Sequence, residues 1–267
     1  MKVQDKVIVV TGAGSGIGRA LVLALLDQGA RVAAVDVSQS GLQETLAQAG
    51  AAEERISTHV LDLSDKAKVE ALPAQVIAAH GAVDAIINNA GIIQPFVPFN
   101  DLDYKDIERV LHVNLYSQIY MVKSFLPELL KRPEAHVVNV SSMGGFFPFP
   151  GQTLYGATKA AVKLLTEGLY AELLETQVGV TVIFPGAIAT DIAKNSGVRM
   201  AGADSAESSG MSMTSAASAA QQIIAAMEKN KFQAFVGNDS KMMNLFYRLN
   251  PGAATRFIQK QMKKLLQ

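Results

Sequence analysis

The chain has 267 residues, of which 49% are hydrophobic and 6% aromatic, and its 24 basic residues equal its 24 acidic residues in number. This charge balance argues against nucleic acid as a partner and favours a small molecule. Because the sequence contains no cysteine, disulfide frameworks, thiolate-bound zinc and cysteine nucleophiles are excluded. The polar residues 1–6 run directly into an apolar segment without the pattern of a signal peptide, so we expect a cytoplasmic location.

Short β-branched segments alternate with longer amphipathic ones along the whole chain. The predicted strands are residues 7–10, 31–35, 56–61, 83–87, 136–140, 178–184 and 233–236. The predicted helices include residues 17–28, 66–79, 107–130, 155–175 and 215–229. Apolar strands separated by helices are typical of a parallel sheet that is covered on both faces. The sequence therefore predicts one α/β domain over residues 1–267, with a doubly wound parallel sheet of about seven strands and ligands at the carboxyl ends of the strands.

A glycine-rich turn, TGAGSGIG at residues 11–18, follows the first predicted strand and opens a helix. Its glycines allow backbone conformations that are closed to other residues, so the helix N-terminus can approach a pyrophosphate. Asp36 stands at the end of the second predicted strand, where a carboxylate can accept hydrogen bonds from both ribose hydroxyls. Together they predict a dinucleotide site, although a plain tight turn explains the glycines alone and a helix cap explains Asp36 alone.

Two more polar segments follow predicted strand ends. Asp62-Leu63-Ser64, after the third strand, would meet an adenine edge, and Asn88-Asn89-Ala90-Gly91, after the fourth, would pass along the middle of the cofactor. Each segment is by itself equally a helix cap or a loop. The cofactor interpretation depends on all these features lying on one edge of the sheet.

Tyr155 and Lys159 are four residues apart on a predicted helix and therefore project from the same face. We expect the lysine ammonium to lower the pKa of the phenol, so that Tyr155 serves as a general acid/base, although such a pair alone is usually a solvated helix face. The strand at 136–140 ends in two serines, and the Ser142 hydroxyl would hydrogen-bond a substrate oxygen. Asn114 is a polar residue among apolar neighbours and is a further candidate for the site. The alternative interpretation is a core amide whose hydrogen bonds are satisfied.

The histidines show neither the spacing of a metal site nor a pairing with a nucleophile. We therefore expect no metal, and we interpret all four as structural: His59, His80, His112 and His136.

Taken in order, these motifs resemble the short-chain dehydrogenase/reductase family over residues 6 to about 237. The family patterns present here are TGAGSGIG at 11–18, NNAG at 88–91, SS at 141–142, YGATK at 155–159 and PGAIAT at 185–190. The resemblance implies a Rossmann-like fold and an oxidoreductase dependent on NAD or NADP. Such an enzyme interconverts an alcohol and a ketone or aldehyde by hydride transfer.

The resemblance also implies the roles of the site residues. Tyr155 would be the general acid/base, and Lys159 would lower its pKa and hold the nicotinamide ribose. Ser142, at the spacing from Tyr155 that the family pattern requires, would contact the carbonyl, and Asn114 would order a proton-relay water. The cofactor would be bound by Gly12, Ser15, Gly16, Ile17, Gly18, Asp36, Asp62, Leu63, Asn89, Ala90, Gly91, Tyr155, Lys159, Pro185, Gly186, Ile188 and Thr190.

The cofactor and substrate can be predicted further. We expect NAD(H) rather than NADP(H), because Asp36 would repel a ribose 2′-phosphate and neither Ser15 nor Val37 supplies a compensating cation. An apolar lipid, steroid or aliphatic substrate is predicted from the aromatic loop at 143–150, residues 92–96 and the methionines of a mobile lid at 190–215. Ordinary packing or a dimer contact explains the same residues. A non-catalytic redox sensor that binds a dinucleotide is the alternative function.

The C-terminal residues 241–267 extend beyond the family pattern and predict two helical segments around Pro251-Gly252. Their apolar stripes lie beside lysines, so this extension would cover the pocket, pack on a partner subunit or rest on a membrane surface. Packing on the pocket or a partner is the favoured interpretation. The resemblance implies a homodimer built from the helices that carry Asn114 and Tyr155, or a homotetramer.

Overall fold

A computed structural model describes residues 1–198 and 213–262, so most of the predicted lid, including Met200 and Met211, lies outside the described residues. The strands are β1 Val7–Thr11, β2 Arg31–Asp36, β3 Ile56–Val60, β4 Ala85–Asn88, β5 Ala135–Val140, β6 Val178–Pro185, β7 Ile188–Ala189, β8 Thr214–Ser215 and β9 Gln233–Val236. Seven of them form a parallel sheet in the order β3-β2-β1-β4-β5-β6-β9, and β7 pairs with β8 separately. All seven predicted strands are confirmed to within two residues at either end.

Helices cover both faces of this sheet. The α-helices of the described residues are α1 Gly16–Asp27, α2 Gln39–Ala49, α3 Lys66–His80, α4 Tyr104–Leu111, α5 Ser117–Leu129, α6 Thr153–Glu172, α7 Ile192–Asn195, α8 Ala216–Glu228, α9 Asn238–Leu249 and α10 Pro251–Met262. One difference from the prediction is a π-helical turn, His112–Tyr116, that interrupts the long helix predicted over residues 107–130. The two helices predicted in the C-terminal extension are confirmed as α9 and α10.

Helices cover both faces of the sheet, and because side chains alternate along each strand, the residues of the inner strands are buried on either face, whereas the edge strand β3 is partly exposed. In β1, Ile8 packs with α1 and α8 in one apolar layer, whereas Val9 packs with α3 and α5 in the other. All five residues of β1 are buried for this reason. The alternation explains why the strands are apolar throughout their length instead of at every second residue.

The strand order reverses direction between β1 and β4. The chain runs outward from β1 to β2 and β3, and then returns to β4 on the other side of β1. In open parallel sheets such a reversal leaves a crevice at the carboxyl ends of the two strands, and ligands bind there. The glycine turn follows β1 and the Asn89 segment follows β4, so both border this crevice.

The described residues contain neither a membrane-spanning helix nor a cluster of metal ligands. Within residues 1–198 and 213–262, no helix is long and apolar enough to cross a membrane. Over the same residues, no group of three or more histidine, aspartate or glutamate side chains is arranged to hold a metal ion.

Candidate active site

The glycine turn brings three parts of the chain into close contact. Gly12 and Gly16 have φ angles of +69° and +51°, in the left-handed region that favours glycine. A Cβ on Gly12 would lie 2.9 Å from the Asn89 side-chain nitrogen, and one on Gly18 would collide with the Gly12 carbonyl. The turn therefore has room only for backbone between β1, α1 and the segment after β4.

The N-terminus of α1 suits an anion. The first N–H groups of a helix, here from Gly16, Ile17 and Gly18, have no partner within the helix, and the helix dipole adds positive potential there. Ser15 precedes α1 but does not cap it, because its hydroxyl accepts a hydrogen bond from the Asn195 side chain at 2.9 Å. These groups fit the pyrophosphate of a dinucleotide.

Asp36, at the end of β2, faces the glycine turn. Its Oδ2 accepts a hydrogen bond from the Gly14 backbone at 2.8 Å, and its Oδ1 accepts one from the Ser38 backbone at 2.8 Å. A carboxylate has about four acceptor positions, so it can still accept ribose hydroxyls. Arg19 lies in the same region but donates to the Glu44 carboxylate at 2.7 Å and the Thr45 hydroxyl at 3.0 Å.

The segment after β3 lies at the same edge, because Val60 is the register partner of Asp36. Asp62 is exposed, and its Oδ1 accepts from both the backbone and the hydroxyl of Ser64. Leu63 is buried. The Asp62 carboxylate thus closes a turn, in agreement with the alternative of a local cap, and its contact with adenine stays a prediction.

Thr11 is a residue that the sequence analysis missed. The last residue of β1, it is buried, and its hydroxyl accepts hydrogen bonds from the backbones of Asn89 and Ala90, each at 3.0 Å. The Asn89 side chain returns a hydrogen bond to the Thr11 carbonyl at 3.0 Å. These bonds fix the segment after β4 beside the glycine turn. Gly91 follows, and a Cβ there would lie 3.1 Å from Lys159 Nζ and 3.3 Å from Asn114 Oδ1.

The carboxyl end of β5 lies next to the first turns of α6. Three side chains meet there: Ser142, Tyr155 and Lys159. Lys159 Nζ lies 5.9 Å from the centre of the Tyr155 ring and donates to the Val140 carbonyl at 3.1 Å. The Ser142 hydroxyl accepts a hydrogen bond from the Gly144 backbone at 3.0 Å and lies near enough to the phenol to lower its pKa. Ser141 instead donates to the Lys159 carbonyl at 2.6 Å and is buried, so only Ser142 faces the crevice.

The pKa values of both Tyr155 and Lys159 are shifted by burial. Burial raises the pKa of Tyr155, and the nearby Ser142 hydroxyl offsets only part of that rise. Burial also lowers the pKa of Lys159 to about 8. Both shifts have the same main cause, because desolvation penalises the charged form of each group. Lys159 is not among the causes of the Tyr155 shift, so a lowering of the Tyr155 pKa by its ammonium stays a prediction.

Asn114 lies in the π-helical turn and is fully buried. Its Oδ1 accepts from the Ile92 backbone at 2.8 Å, and its Nδ2 donates to the Ile92 carbonyl at 2.9 Å and to the Thr158 hydroxyl at 3.2 Å. It is thus a satisfied core amide that fastens the segment after Gly91 to α6. A π turn at such a position is frequent at functional sites, where it turns a side chain away from the regular helical pattern.

The segment after β6 reaches the crevice at one point. The Thr190 side chain would lie 3.2 Å from a Cβ on Gly16, so it borders the glycine turn. Pro185 is the buried last residue of β6, and Ile188 is half-buried in β7. Gly186 is explained by packing, because a Cβ there would collide with the Asp239 carboxylate, which accepts from the Ala187 backbone at 2.6 Å.

Gln94 is a second residue that the sequence analysis missed. It is fully buried, and its Oε1 accepts hydrogen bonds from the backbones of Leu154 and Tyr155, at 2.8 and 2.9 Å. Gln152 donates from its side chain to the Gln94 carbonyl at 2.8 Å. Gln94 therefore holds the first turn of α6, which carries the phenol. The available signal was a polar residue inside the apolar segment 92–96.

The aromatic loop after Ser142 is mostly packing. Phe146 lies edge-on to the rings of Phe184 and Phe235, with centroids 5.5 and 5.7 Å away. Phe147 is buried against Tyr247 of α9, at 5.8 Å. For Phe147, which is buried, the expectation of a substrate-lining role was wrong, and ordinary packing explains the ring. Phe146 is half-buried, and for it that role stays a prediction. The same cluster includes residues of α9 and α10, so the C-terminal extension covers the loop beside Ser142.

Comparison with known proteins agrees with this arrangement. A family model described as short chain dehydrogenase matches residues 6–200. SadH, named as an oxidoreductase of Mycobacterium tuberculosis, is 34% identical over 265 residues, covering 96% of this chain and 94% of SadH. The 3-oxoacyl-[acyl-carrier-protein] reductase FabG of Thermotoga maritima is 32% identical over 190 residues, covering 71% of this chain and 77% of FabG.

A solved structure extends the agreement to the fold. The short chain dehydrogenase/reductase from Burkholderia phymatum in complex with NAD matches with a TM-score of 0.82 at 26% identity, covering 93% of this chain and 96% of that one. The chain belongs to the short-chain dehydrogenase/reductase family and has its Rossmann-like parallel sheet. It is accordingly an oxidoreductase of that family.

Proposed function

We propose that the protein interconverts an alcohol and a ketone or aldehyde by hydride transfer with a nicotinamide dinucleotide. The observation that carries this proposal is the meeting of Ser142, Tyr155 and Lys159 at the crevice where the strand order reverses. The dinucleotide, when bound, accepts or supplies the hydride. In oxidation the alcohol carbon loses that hydride and the alcohol oxygen loses its proton, and in reduction both return.

Tyr155 is the proposed general acid/base. Because its pKa is raised, the phenol holds its proton near neutral pH and is ready to donate it to the oxygen of a carbonyl undergoing reduction. The Ser142 hydroxyl donates to the same oxygen and stabilises the negative charge that develops there. Lys159, beside both Tyr155 and Gly91, would place its ammonium against the phenol and the nicotinamide ribose. Asn114 would hold this arrangement through Ile92.

NAD(H) is the proposed cofactor in preference to NADP(H). Asp36 would meet a ribose 2′-phosphate with like charge, at a cost of about 1 to 4 kcal/mol at contact distance. Arg19, the nearest candidate to compensate, is engaged by Glu44 and Thr45. We propose that the other cofactor residues predicted from the sequence also contact the dinucleotide. Gly186 is the exception, because its packing against Asp239 explains the glycine.

An apolar substrate is the proposed class. Ile92, Phe96 and Met143 are half-buried on the segments that follow Gly91 and Ser142, where a substrate would lie beside the phenol. The similarity to a 3-oxoacyl-[acyl-carrier-protein] reductase supports an aliphatic acyl chain over a sugar. For assembly we propose a homodimer through α5 and α6, whose exposed apolar side chains include Leu164 and Leu165.

The test is a panel of alcohols and ketones of increasing chain length, followed by nicotinamide absorbance with both cofactors. Tyr155→Phe should lose about 100-fold or more in turnover while still binding the dinucleotide, because the hydroxyl moves a proton but contributes little to ground-state affinity. Tyr104→Phe, at a tyrosine that is 84% exposed, is the matched control. Turnover of Tyr155→Phe above about a tenth of the wild-type rate would exclude the general acid/base role.

A further inference from the structure

The two C-terminal helices expose a second face. Their inner face packs on the loop after Ser142 through residues such as Phe246 and Ile258, and the rings of Phe246 and Phe257 hold α9 and α10 together at 5.8 Å. On the outside, large apolar side chains remain in solvent. They are Met242 at 60% exposure, Leu245 at 60%, Leu249 at 76% and Phe257 at 39%.

This outer face is also purely cationic. Four basic side chains are exposed along α9 and α10: Lys241, Arg248, Arg256 and Lys260. Asp239 is the only acidic residue from 238 to the C-terminus, and its carboxylate is held inward by the Ala187 backbone. Among the residues that the structure describes, none of the four cations forms an ion pair. The chain as a whole has a formal net charge of zero, so positive charge is concentrated here.

The charge pattern argues against a second copy of the chain as the occupant of this face. A two-fold interface brings the same surface together from both copies, so these cations would oppose one another without a carboxylate of the same face between them. Apolar side chains interleaved with lysine and arginine instead complement the interface of an anionic lipid bilayer, where the apolar groups enter the acyl boundary and the cations meet the headgroups.

We propose that the outer face of α9 and α10 docks the protein on an anionic membrane surface. The contact is peripheral, with α9 and α10 lying in the interface. Because the inner face of the same two helices covers the loop after Ser142, docking would place the substrate side of the crevice next to lipid. The docking itself does not depend on the proposed hydride transfer, since it rests on the exposed face alone.

The experiment measures partition of the full chain onto vesicles of phosphatidylcholine alone and of phosphatidylcholine mixed with phosphatidylglycerol, by flotation. We expect binding to the mixed vesicles that weakens as salt is raised, and little binding to the neutral ones. Arg248→Gln with Lys260→Gln should lower partition by about thirtyfold, since each cation near an anionic surface contributes about fivefold. Leu245→Ser with Leu249→Ser should lower it by about tenfold or more.

Matched controls remove similar groups from other surfaces. Lys229→Gln with Lys231→Gln takes two exposed cations from the opposite end of β9, and Leu130→Ser with Leu174→Ser takes two exposed leucines from elsewhere. Both should partition as the wild type does. Absence of binding to the anionic vesicles, or unchanged partition of the Arg248 and Lys260 variant, would overturn the proposal. So would light scattering that shows the Leu245 and Leu249 variant dissociating a larger assembly, because the face would then join copies of the chain.

Discussion

Gln94→Met replaces the acceptor at the start of α6 by an apolar side chain of similar length. The wild-type Oε1 accepts from the backbones of Leu154 and Tyr155, and Gln94 is fully buried. Methionine fills the same space, so the variant removes two hydrogen bonds without opening a large cavity. The two N–H groups belong to the first turn of the helix and have no acceptor within it.

The expected cost follows from those two bonds. Each contributes about 0.5 to 1.5 kcal/mol net, and an N–H left unpaired in a buried position costs about 1 to 3 kcal/mol. Leu154 and Tyr155 are half-buried, so water replaces part of the loss and we expect about 2 kcal/mol of destabilisation. At about 2 to 4 °C per kcal/mol for a chain of this size, Tm should fall by about 4 to 8 °C.

The first turn of α6 also positions the phenol, so activity should fall beyond what stability explains. A shift of about 1 Å in a reacting group can cost 100-fold, and we expect kcat to fall by about tenfold or more with KM little changed. Gln94→Glu keeps an oxygen acceptor and should restore most of the stability, while its negative charge raises the Tyr155 pKa further. The pH profile of alcohol oxidation should then move to higher pH.

The assays are thermal unfolding and steady-state kinetics over a range of pH. Gln118→Met is the matched control for loss of a buried glutamine, because its Oε1 accepts no hydrogen bond among the residues that the structure describes and its Nε2 makes only a long contact of 3.5 Å, with the Val140 carbonyl. If Gln94→Met retains the wild-type Tm and kcat, the capping contact contributes nothing and the reasoning fails.

Three further predictions concern pH and cofactor choice. Burial, together with the nearby N-terminal ammonium, lowers the pKa of His136 to about 3. Below pH 6.5 the unfolded chain therefore binds a proton at His136 that the folded chain does not bind. As a result, the free energy of unfolding should fall by up to about 5 kcal/mol between pH 6.5 and pH 3. When measured by urea unfolding, the free energy of unfolding of His136→Gln should lose most of this pH dependence, whereas that of His112→Gln should keep it. For Lys159, whose pKa is lowered to about 8, stability should rise by about 3 kcal/mol from pH 8 to 10.5, and an equal rise in Lys159→Met would contradict the assignment. Asp36→Ala should shift the ratio of kcat/KM for NAD over NADP by about tenfold or more toward NADP, whereas an unchanged ratio would remove Asp36 from cofactor selection.

Local sequence patterns were sufficient to predict the sheet, the crevice and the residue types in it. Strands that are apolar along their length and separated by helices leave few arrangements besides a doubly wound parallel sheet, since strand and helix periodicities are local properties. The glycine turn was equally predictable, because the left-handed conformations of Gly12 and Gly16 are required wherever β1 turns sharply into α1. That Tyr155 and Lys159 share one face of a helix was predictable for the same reason, since it depends only on their spacing of four residues.

Contacts between segments that are distant in the chain became visible only in the folded protein. Thr11 and Gln94 act through backbone groups of the Asn89 segment and of α6, and a backbone acceptor has no residue code that a sequence pattern could reveal. The aromatic rings after Ser142 face the core and α9, because burial depends on which elements pack against the loop. The raised pKa of Tyr155 likewise follows from desolvation, which is a property of the surrounding packing.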